Sequence, residues 1–375
     1  MLSFNEIYKF YYEWWKNIDK TLFLLIIFLF GLGLFFSLVS TSLIASDKLN
    51  TNNYFFFFKH LIFILLGIGV LIFFSSLSEK NLFKISLYLF FISFFFLILV
   101  PIIGVEVKGS RRWLNLFFLP RFQPIELVKP FVIIFIATIL CLEKNLNIFF
   151  KYVISFIAIL PIIFLLVIQP DIGQTLLVFL SWATLIFVSG ISLPIIISAL
   201  SLLLSIFIYM IFFIPKFLYI KSRILSFFNP NSGTHNFQSD KAIDAISSGG
   251  YFGKGIGEGT LKNRVPEAHT DYIISVISEE FGVVAIILIL LLFLVFIYMV
   301  FKKINFEKSE KIKLALIGCI SLILMQATIH IGVNIRLFPT TGMTLPFLSY
   351  GGSSIVSVSI LSGIILNLTK RKINY

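Results

Sequence analysis

The sequence predicts an all-α, polytopic integral membrane protein. Of its 375 residues, 58% are hydrophobic and only 13% are charged, and the mean hydropathy is +1.01. A soluble core of this size could not bury so much apolar surface, so lipid must solvate a large part of it. The chain contains no linker that would separate soluble domains, and residues 1–375, including the loop 215–271, are therefore expected to form a single membrane domain.

About ten apolar runs have the length of roughly 17–25 residues that a bilayer-spanning helix needs. They cover residues 21–44, 55–76, 82–105, 125–142, 149–168, 172–189, 193–214, 272–301, 312–336 and 349–368. Prolines interrupt the runs between 149 and 214, which could be divided differently, although membrane helices tolerate proline.

The distribution of Lys and Arg predicts how the chain is oriented. The 30 basic residues divide almost evenly between the two sides, but about seven of one side's lie in the long loop 215–271, where the positive-inside rule weakens. When these seven are left out, roughly 8 basic residues remain on that side, compared with roughly 15 on the other side. Both termini are therefore expected in the cytoplasm. The loops expected outside are 45–54, 106–124, 169–171, 215–271 (the large extracytoplasmic loop) and 337–348.

The net charge of +12 could suggest a nucleic-acid partner. The basic residues are dispersed between apolar spans, however, whereas nucleic-acid binding needs a concentrated basic surface. No nucleic acid is expected as a partner.

The outer loop before the fourth predicted helix carries charges typical of a binding site. Arg111 and Arg112 can form forked hydrogen bonds to phosphate or carboxylate oxygens, although such a basic, aromatic loop also suits lipid head groups. Glu126 lies in the first turn of the next helix, and Lys129 can pair with it three residues later. Charges at membrane depth usually mark a site or a buried ion pair. Asp171 begins the sixth helix on the same side, where a helix-start role alone would explain it.

The longest polar stretch is residues 247–282, SSGGYFGKGIGEGTLKNRVPEAHTDYIISVISEEFG. Its glycines lack the strand–turn–helix context and the G-x-x-x-x-G-K-[ST] pattern of nucleotide-binding loops. They indicate either a flexible loop or backbone that approaches a substrate closely. Asp271 opens the eighth helix, either as a helix cap or as a general base. Glu279 and Glu280 lie deeper and are expected to be structural.

Polar residues recur every fourth position in the ninth helix at Gln326, His330 and Asn334. They share one face, which indicates hydrogen bonding between helices or the lining of a cavity. The loop 337–348 that follows is rich in Gly and Pro, and we expect a structured loop with little chemistry of its own.

Six motifs in this order and spacing resemble the SEDS family (shape, elongation, division and sporulation proteins), also called the FtsW/RodA family. They are GSRRW, QPIELVK, QPDIGQT, AISSGGYFGKGIGEGT, PEAHTDYIISVISEEFG and PTTGMTLPFLSYGGSS. The GEGT stretch, PEAHTDY and the last motif look more like the division branch, FtsW, than the elongation branch, RodA. His330 departs from the asparagine expected there.

The resemblance implies the SEDS fold and a peptidoglycan glycosyltransferase that polymerises lipid II into β-1,4 glycan strands for the division septum. It places the catalytic aspartate, which takes the acceptor proton, at Asp271. The residues that it implies for substrate binding are Arg111, Arg112, Glu126, Lys129, Asp171, Glu267 and His269. No organic cofactor is implied, but a divalent cation, Mg²⁺ or Mn²⁺, could assist the arginines at the leaving diphosphate.

The resemblance also implies partners and a location. The partners are a class B penicillin-binding protein of the FtsI type, which is a transpeptidase, and regulatory membrane proteins of the division site. The location is the bacterial cytoplasmic membrane at the septum. The alternatives are a lipid II flippase, an elongation-branch polymerase and a non-catalytic scaffold. A carrier should show polar groups near the membrane midplane and openings on both faces, whereas the chemically rich segments here fall on one predicted side.

Overall fold

The computed structural model describes residues 4–41, 54–107, 110–116, 120–142, 147–214, 218–228, 237–261 and 265–370. Within these ranges the chain forms thirteen helices and one β-hairpin. The helices are α1 (Phe4–Asn17), α2 (Lys20–Thr41), α3 (Phe55–Ser76), α4 (Glu79–Ile103), α5 (Pro124–Leu140), α6 (Ile148–Ile168), α7 (Ile172–Val188), α8 (Leu193–Phe213), α9 (Leu218–Phe228), α10 (Phe237–Gly249), α11 (Ile273–Phe306), α12 (Glu310–Asn334) and α13 (Gly352–Leu368). The hairpin strands are β1 (Val105–Val107) and β2 (Ser110–Trp113).

The predicted fold class, a polytopic helical membrane protein, is confirmed. Each of the ten apolar runs coincides with a helix, α2 to α8 and α11 to α13, and the ends agree within about five residues where they are described. In the described part of the chain, six helices are long and apolar enough to cross a bilayer by length and composition. Residues 42–44, which end the first predicted helix, lie outside the described ranges.

Three helices and the two strands of the hairpin, none of which the apolar runs predicted, lie outside the spans. Helix α1 is amphipathic, and its Trp14 indole donates to Ser75 Oγ at 2.9 Å. The strands β1 and β2 form an antiparallel pair in which Glu106 lies opposite Arg111. Helices α9 and α10 lie within the long loop. These segments carry too few apolar residues for a span, and a search based on apolar length therefore passes over them.

Helix α12 lies at the centre of the bundle, where it contacts α5, α7, α11 and α13. Helix α13 packs closely on α3, because Gly67 and Gly363 leave room at the contact. A Cβ at Gly363 would lie 2.8 Å from the Leu71 carbonyl oxygen. Such small residues allow the close backbone approach that drives helix association in membranes.

Helix α11 is interrupted within its first third, close to its N-terminal end. The helix has 34 residues, and Gly282 within it has a φ of 76° and is not helical. A straight helix of this length would measure about 51 Å, well beyond the roughly 30 Å of a hydrocarbon core. The kink separates a buried first segment, Ile273–Phe281, from the lipid-length segment that follows it.

Candidate active site

A cavity of about 450 Å³ opens where the hairpin, the starts of α5 and α7, and the loops flanking α11 and α13 meet. Five charged residues line it. They are Arg112, Arg121, Glu126, Glu267 and Asp271. The cavity therefore combines three carboxylates with two guanidinium groups, a set that can bind an anion and accept a proton.

Asp271 lies on the cavity wall, immediately before the start of α11. The N-cap residue of this helix is Tyr272, so Asp271 is not the helix cap that was one interpretation of its position. Its carboxylate faces the loop between α12 and α13, since a Cβ at Gly342 would lie 3.4 Å from Asp271 Oδ2. Gly342 itself has a φ of 73°, which a residue with a side chain would adopt only with strain. Glycine thus keeps the space beside the carboxylate open.

The backbone of the segment that carries Asp271 is fixed by three bonds from other parts of the chain. Asn334 Nδ2 donates to the Asp271 carbonyl at 3.0 Å. Ser349 Oγ donates to the Thr270 carbonyl at 2.7 Å. The Tyr350 amide donates to the His269 carbonyl at 3.0 Å. The end of α12 and the loop before α13 therefore set the position of Asp271.

Glu267 and His269 precede Asp271 but have different surroundings. Glu267 lines the cavity, and its φ of 55° turns the chain so that its carbonyl accepts the Asp271 amide at 3.1 Å. His269 does not line the cavity; its ring lies 4.8 Å from that of Phe56 and 5.8 Å from that of Tyr350. Burial lowers the pKa of His269, although nearby Glu267 opposes the shift. Burial therefore favours the neutral form of this imidazole, which lies beside two aromatic rings.

The two adjacent arginines face opposite ways because successive residues of a strand alternate. Arg112 lies on the cavity side, where it donates to the Pro170 carbonyl and lies 3.6 Å from the Asp171 carboxylate. Arg111 is outside the cavity lining, 53% exposed, and pairs with Glu106 at 3.4 Å. Only Arg112 of this pair is therefore placed to touch a molecule in the cavity.

Asp171 orders the cavity wall without lining it. It is buried, caps α7 by accepting from the Gln174 amide, and accepts from Gln123 Nε2 at 3.0 Å. Burial raises the pKa of Asp171, and the Arg112 guanidinium opposes that shift. Asp171 thus holds Arg112 and Gln123, both of which line the cavity, in place.

Glu126 and Lys129 form a buried ion pair beneath the cavity, with 2.8 Å between Lys129 Nζ and Glu126 Oε1. Gln174 Nε2 donates to the same carboxylate oxygen at 2.8 Å, and Lys129 donates to Gln326 Oε1 at 3.0 Å. Gln326 in turn donates to the Thr344 carbonyl at 3.0 Å. Glu126 lines the cavity, whereas Lys129 lies below it and joins α5 to α12.

The polar stripe of α12 serves mainly to hold the neighbouring loops. Gln326 bonds Lys129 and Thr344, as described above. His330 Nδ1 donates to the Met343 carbonyl at 2.7 Å, and Asn334 holds Asp271. The interpretation as interhelical hydrogen bonding therefore holds for Gln326, which bonds Lys129 of α5, whereas His330 and Asn334 bond backbone of the neighbouring loops.

The glycine run does not approach the cavity, contrary to the interpretation that it lets backbone approach a substrate. No glycine between 249 and 259 lines it. Instead, Gly249 and Gly253 lie against the backbone of α11, where a Cβ would overlap Ser278 and Glu280 respectively. The carboxylates of the two buried glutamates accept amide protons of the loop, Glu279 from Leu261 at 2.8 Å and Glu280 from Gly257. These glutamates are structural, as predicted.

Several cavity residues were not singled out from the sequence. They are Arg121, Gln123, Gln238, Thr340, Thr341, Gly342, Thr344, Tyr350, Gly351, Ser353 and Ser354. The loop before α13 was expected to carry little chemistry, yet it forms one whole wall. Thr340 and Thr341, next to Gly342, could have indicated a binding surface in this loop, because polar side chains at the membrane often mark a functional site.

Comparisons with known proteins agree with this architecture. The sequence model of the FtsW/RodA/SpoVE family, described as "Cell cycle protein", matches residues 20–374. The "Probable peptidoglycan glycosyltransferase FtsW" of Caulobacter vibrioides is 31% identical over 372 residues, covering 96% of this chain and 91% of that protein. The protein of the same name from Coxiella burnetii is 32% identical, covering 91% of this chain and 93% of its own.

Solved structures give the same result. A chain from a structure described as "Structural coordination of polymerization and crosslinking by a peptidoglycan synthase complex" superposes with a TM-score of 0.76 at 25% identity, covering 94% of this chain and 97% of that one. The rod shape determining protein RodA of Thermus thermophilus superposes with a TM-score of 0.68 at 25% identity, covering 94% and 96%. The match over almost the whole sequence and the shared fold together show that this chain belongs to the FtsW/RodA/SpoVE family.

Proposed function

We propose that this chain is a peptidoglycan glycosyltransferase that polymerises lipid II into β-1,4 glycan strands for septal wall synthesis. The observation that carries the proposal is the single cavity that Asp271, Arg112 and Arg121 all line. Curated relatives with about 30% identity over almost the full length are named peptidoglycan glycosyltransferases FtsW, which supports both the activity and the division branch.

In the proposed reaction, Asp271 acts as the general base. It takes the proton from the 4-hydroxyl of the acceptor GlcNAc, whose oxygen attacks C1 of the donor MurNAc. The bond between C1 and the diphosphate oxygen breaks as the new glycosidic bond forms, which inverts the α-linkage to β. The electron pair leaves with undecaprenyl diphosphate, and the acceptor proton remains on Asp271. A positioned base typically contributes about 10²–10⁴-fold to such a rate.

The leaving diphosphate needs positive charge, and the cavity supplies it at Arg112 and Arg121. The ion pair with Asp171 fixes the Arg112 fork, so little reorganisation is needed when an anion binds. A divalent cation fits this site only together with substrate. The described residues hold no group of three or more His, Cys, Asp or Glu side chains that could bind a metal alone. Mg²⁺ is often held by one or two carboxylates plus substrate phosphates; Glu267 would be such a carboxylate, while Asp271 acts as the base.

Membrane topology and partners complete the proposal. The cavity faces the outside, with both termini in the cytoplasm, as the basic residues of the short loops indicate. Lipid II would enter from the outer leaflet. A class B penicillin-binding protein would crosslink the product, and the similarity to a chain of a peptidoglycan synthase complex supports such a partner. Division-site regulators would recruit the pair to the septum.

The principal test is polymerisation of lipid II by the purified protein together with its penicillin-binding partner. Wild type should make glycan polymer, and Asp271→Asn should reduce the rate at least about 100-fold while the complex still assembles. Asp244→Asn is the matched control, because Asp244 is an exposed carboxylate of α10 paired with Lys241 and outside the cavity. Polymerisation by Asp271→Asn at the wild-type rate would remove Asp271 from the proposed role.

Two further outcomes would distinguish the alternatives. Transport of lipid II across a liposome bilayer without polymer would favour the flippase. In cells, depletion should give filaments with failed septa, whereas rounded cells would favour the elongation branch.

A further inference from the structure

Three large apolar side chains project from the glycine-rich segment 250–259, which is called the glycine loop below. Tyr251, Phe252 and Ile256 are 78%, 83% and 64% exposed; together they are called the loop tip below. Two exposed aromatic residues and an isoleucine on one short loop form the kind of apolar surface that marks contact with a membrane or another protein. The cavity does not include them, so the proposed reaction leaves them without a role.

The loop tip is held rigidly against the kink of α11. The Lys254 and Gly255 amides donate to the Glu279 and Glu280 carbonyls at 2.9 and 3.0 Å. On the C-terminal side of the kink, the Val283 and Val284 amides donate to the carbonyls of Gly250 and Tyr251 at 3.0 and 3.2 Å. The loop is thus bonded to both sides of the kink, and its tip has a fixed place relative to the helix.

The kink also marks where α11 becomes lipid-facing. Residues Ile273 to Glu280 are buried in the protein, whereas Val283, Val284, Ile287 and Leu288 are 39–56% exposed. From Gly282 to Phe306 the helix is about 37 Å long at 1.5 Å per residue, enough to cross a hydrocarbon core of roughly 30 Å. The exposed apolar surface of α11 therefore begins at the interface, next to Tyr251.

We infer that the loop tip is immersed in the membrane interface on the cavity side of the bilayer and anchors the start of α11 at that depth. Its occupant is lipid, because the tip continues the lipid-facing surface of α11 without a break: the Val284 amide is bonded directly to Tyr251. Aromatic residues are enriched at this depth, where they combine apolar contact with a polar boundary. A flexible loop could not transmit such an anchor, but this one is bonded to the kink itself.

The anchor has a direct consequence for the cavity. The buried segment of α11 that the loop holds begins two residues after Asp271. Lipid contact at the tip thereby fixes the height of Asp271 relative to the head groups, the level at which any lipid-linked substrate carries its polar part. This inference does not depend on the glycosyltransferase proposal, and its test does not measure catalysis.

The test is depth measurement by spin labelling in nanodiscs of phosphatidylethanolamine and phosphatidylglycerol. In a background of Cys141→Ser and Cys319→Ala, single cysteines are introduced at Phe252 or Ile256 and labelled. Leu288→Cys is the lipid-facing reference and Glu258→Cys, on the same loop, is the water-facing reference. The rates at which each label collides with oxygen and with a water-soluble nickel chelate are then measured and compared. Elution as a monodisperse peak shows that each labelled protein is folded.

Labels at 252 and 256 should resemble the label at 288, with oxygen collisions favoured over nickel collisions, and differ from the label at 258. Nickel accessibility equal to that at 258 would overturn the inference. Labels that are open to nickel in the isolated chain and become protected only when a penicillin-binding protein is added would also overturn it, because the occupant would then be protein.

Discussion

Replacing Lys129 with methionine tests the buried network beneath the cavity. The Lys129 side chain is fully buried, 2.8 Å from Glu126 and 3.0 Å from Gln326. Its removal leaves the Glu126 carboxylate buried without its cation, which typically costs about 3–5 kcal/mol. Gln174 still donates to the carboxylate, so we expect the lower end, about 3 kcal/mol. At about 2–4 °C per kcal/mol, the apparent Tm should fall by roughly 6–12 °C.

The double variant Glu126→Gln with Lys129→Met separates charge from packing. It removes both charges together, and exchanging a buried pair for neutral groups is often close to neutral in stability. We expect its apparent Tm within about 3 °C of wild type. Lys313→Met is the matched control, because Lys313 forms the same i,i+3 pair with Glu310 on the surface. Exposed pairs contribute about 0–1 kcal/mol.

The thermal unfolding of wild type and the variants is followed in detergent with a thiol-reactive dye. Cys319 is buried and Cys141 is half-buried, so both thiols react with the dye as the protein unfolds. All variants are heated at one rate, since membrane-protein unfolding is usually irreversible and the apparent Tm depends on that rate. A double variant that is as unstable as Lys129→Met alone would refute the reasoning. The loss would then come from packing rather than from an uncompensated carboxylate.

Three other substitutions or conditions test separate features. Gly282→Ala should lower the apparent Tm and expose the glycine loop to limited proteolysis, because the φ of Gly282 is +76° and a Cβ there would overlap the loop backbone. Gly31→Ala is the control, because a Cβ at Gly31 has open space, and it should change neither the apparent Tm nor the proteolysis. Equal effects of the two substitutions would contradict the role of Gly282 in the kink. Burial lowers the pKa of His269, so the unfolded chain binds a proton at this residue more readily than the folded chain, and the contribution of His269 to stability should fall as the pH drops through about 6.5. The apparent Tm of His269→Phe should therefore fall less on acidification than that of wild type. An unchanged dependence of the apparent Tm on pH would contradict this. Arg112→Ala should slow lipid II polymerisation by about 10–100-fold, from the loss of roughly 1.5–3 kcal/mol of charged hydrogen bonding, whereas Arg111→Ala should have little effect; equal losses would contradict the assigned faces.

The sequence predicted the helices and the position of Asp271 for the same physical reason. A bilayer requires long apolar runs, so the places where polar residues interrupt them stand out. Asp271 lies at such a boundary. Counting helices then placed it on the same side as Glu126 and Asp171, and both lie at or beside the cavity in the structure.

Other parts of the site depend on tertiary contacts that local patterns do not contain. Arg111 and Arg112 are chemically equivalent in the sequence, and only the hairpin register separates the one in the cavity from the one outside it. Glycine permits close approach but does not say to what, and here Gly249 and Gly253 approach α11 rather than a ligand. Arg121 lies next to Phe122, which is bridged to Leu114 at the end of the hairpin, and this non-local contact brings Arg121 to the cavity.

The backbone bonds around Asp271 separate two kinds of information in this chain. Asn334 and Ser349 donate to backbone carbonyl oxygens of the segment, so these two bonds to the segment do not require the carboxylate that the proposed reaction uses. An amide in place of the carboxylate should therefore occupy the same coordinates. On the proposed function, Asp271→Asn should lose activity and keep the binding surface, so this variant would be a means of trapping the loaded complex for imaging.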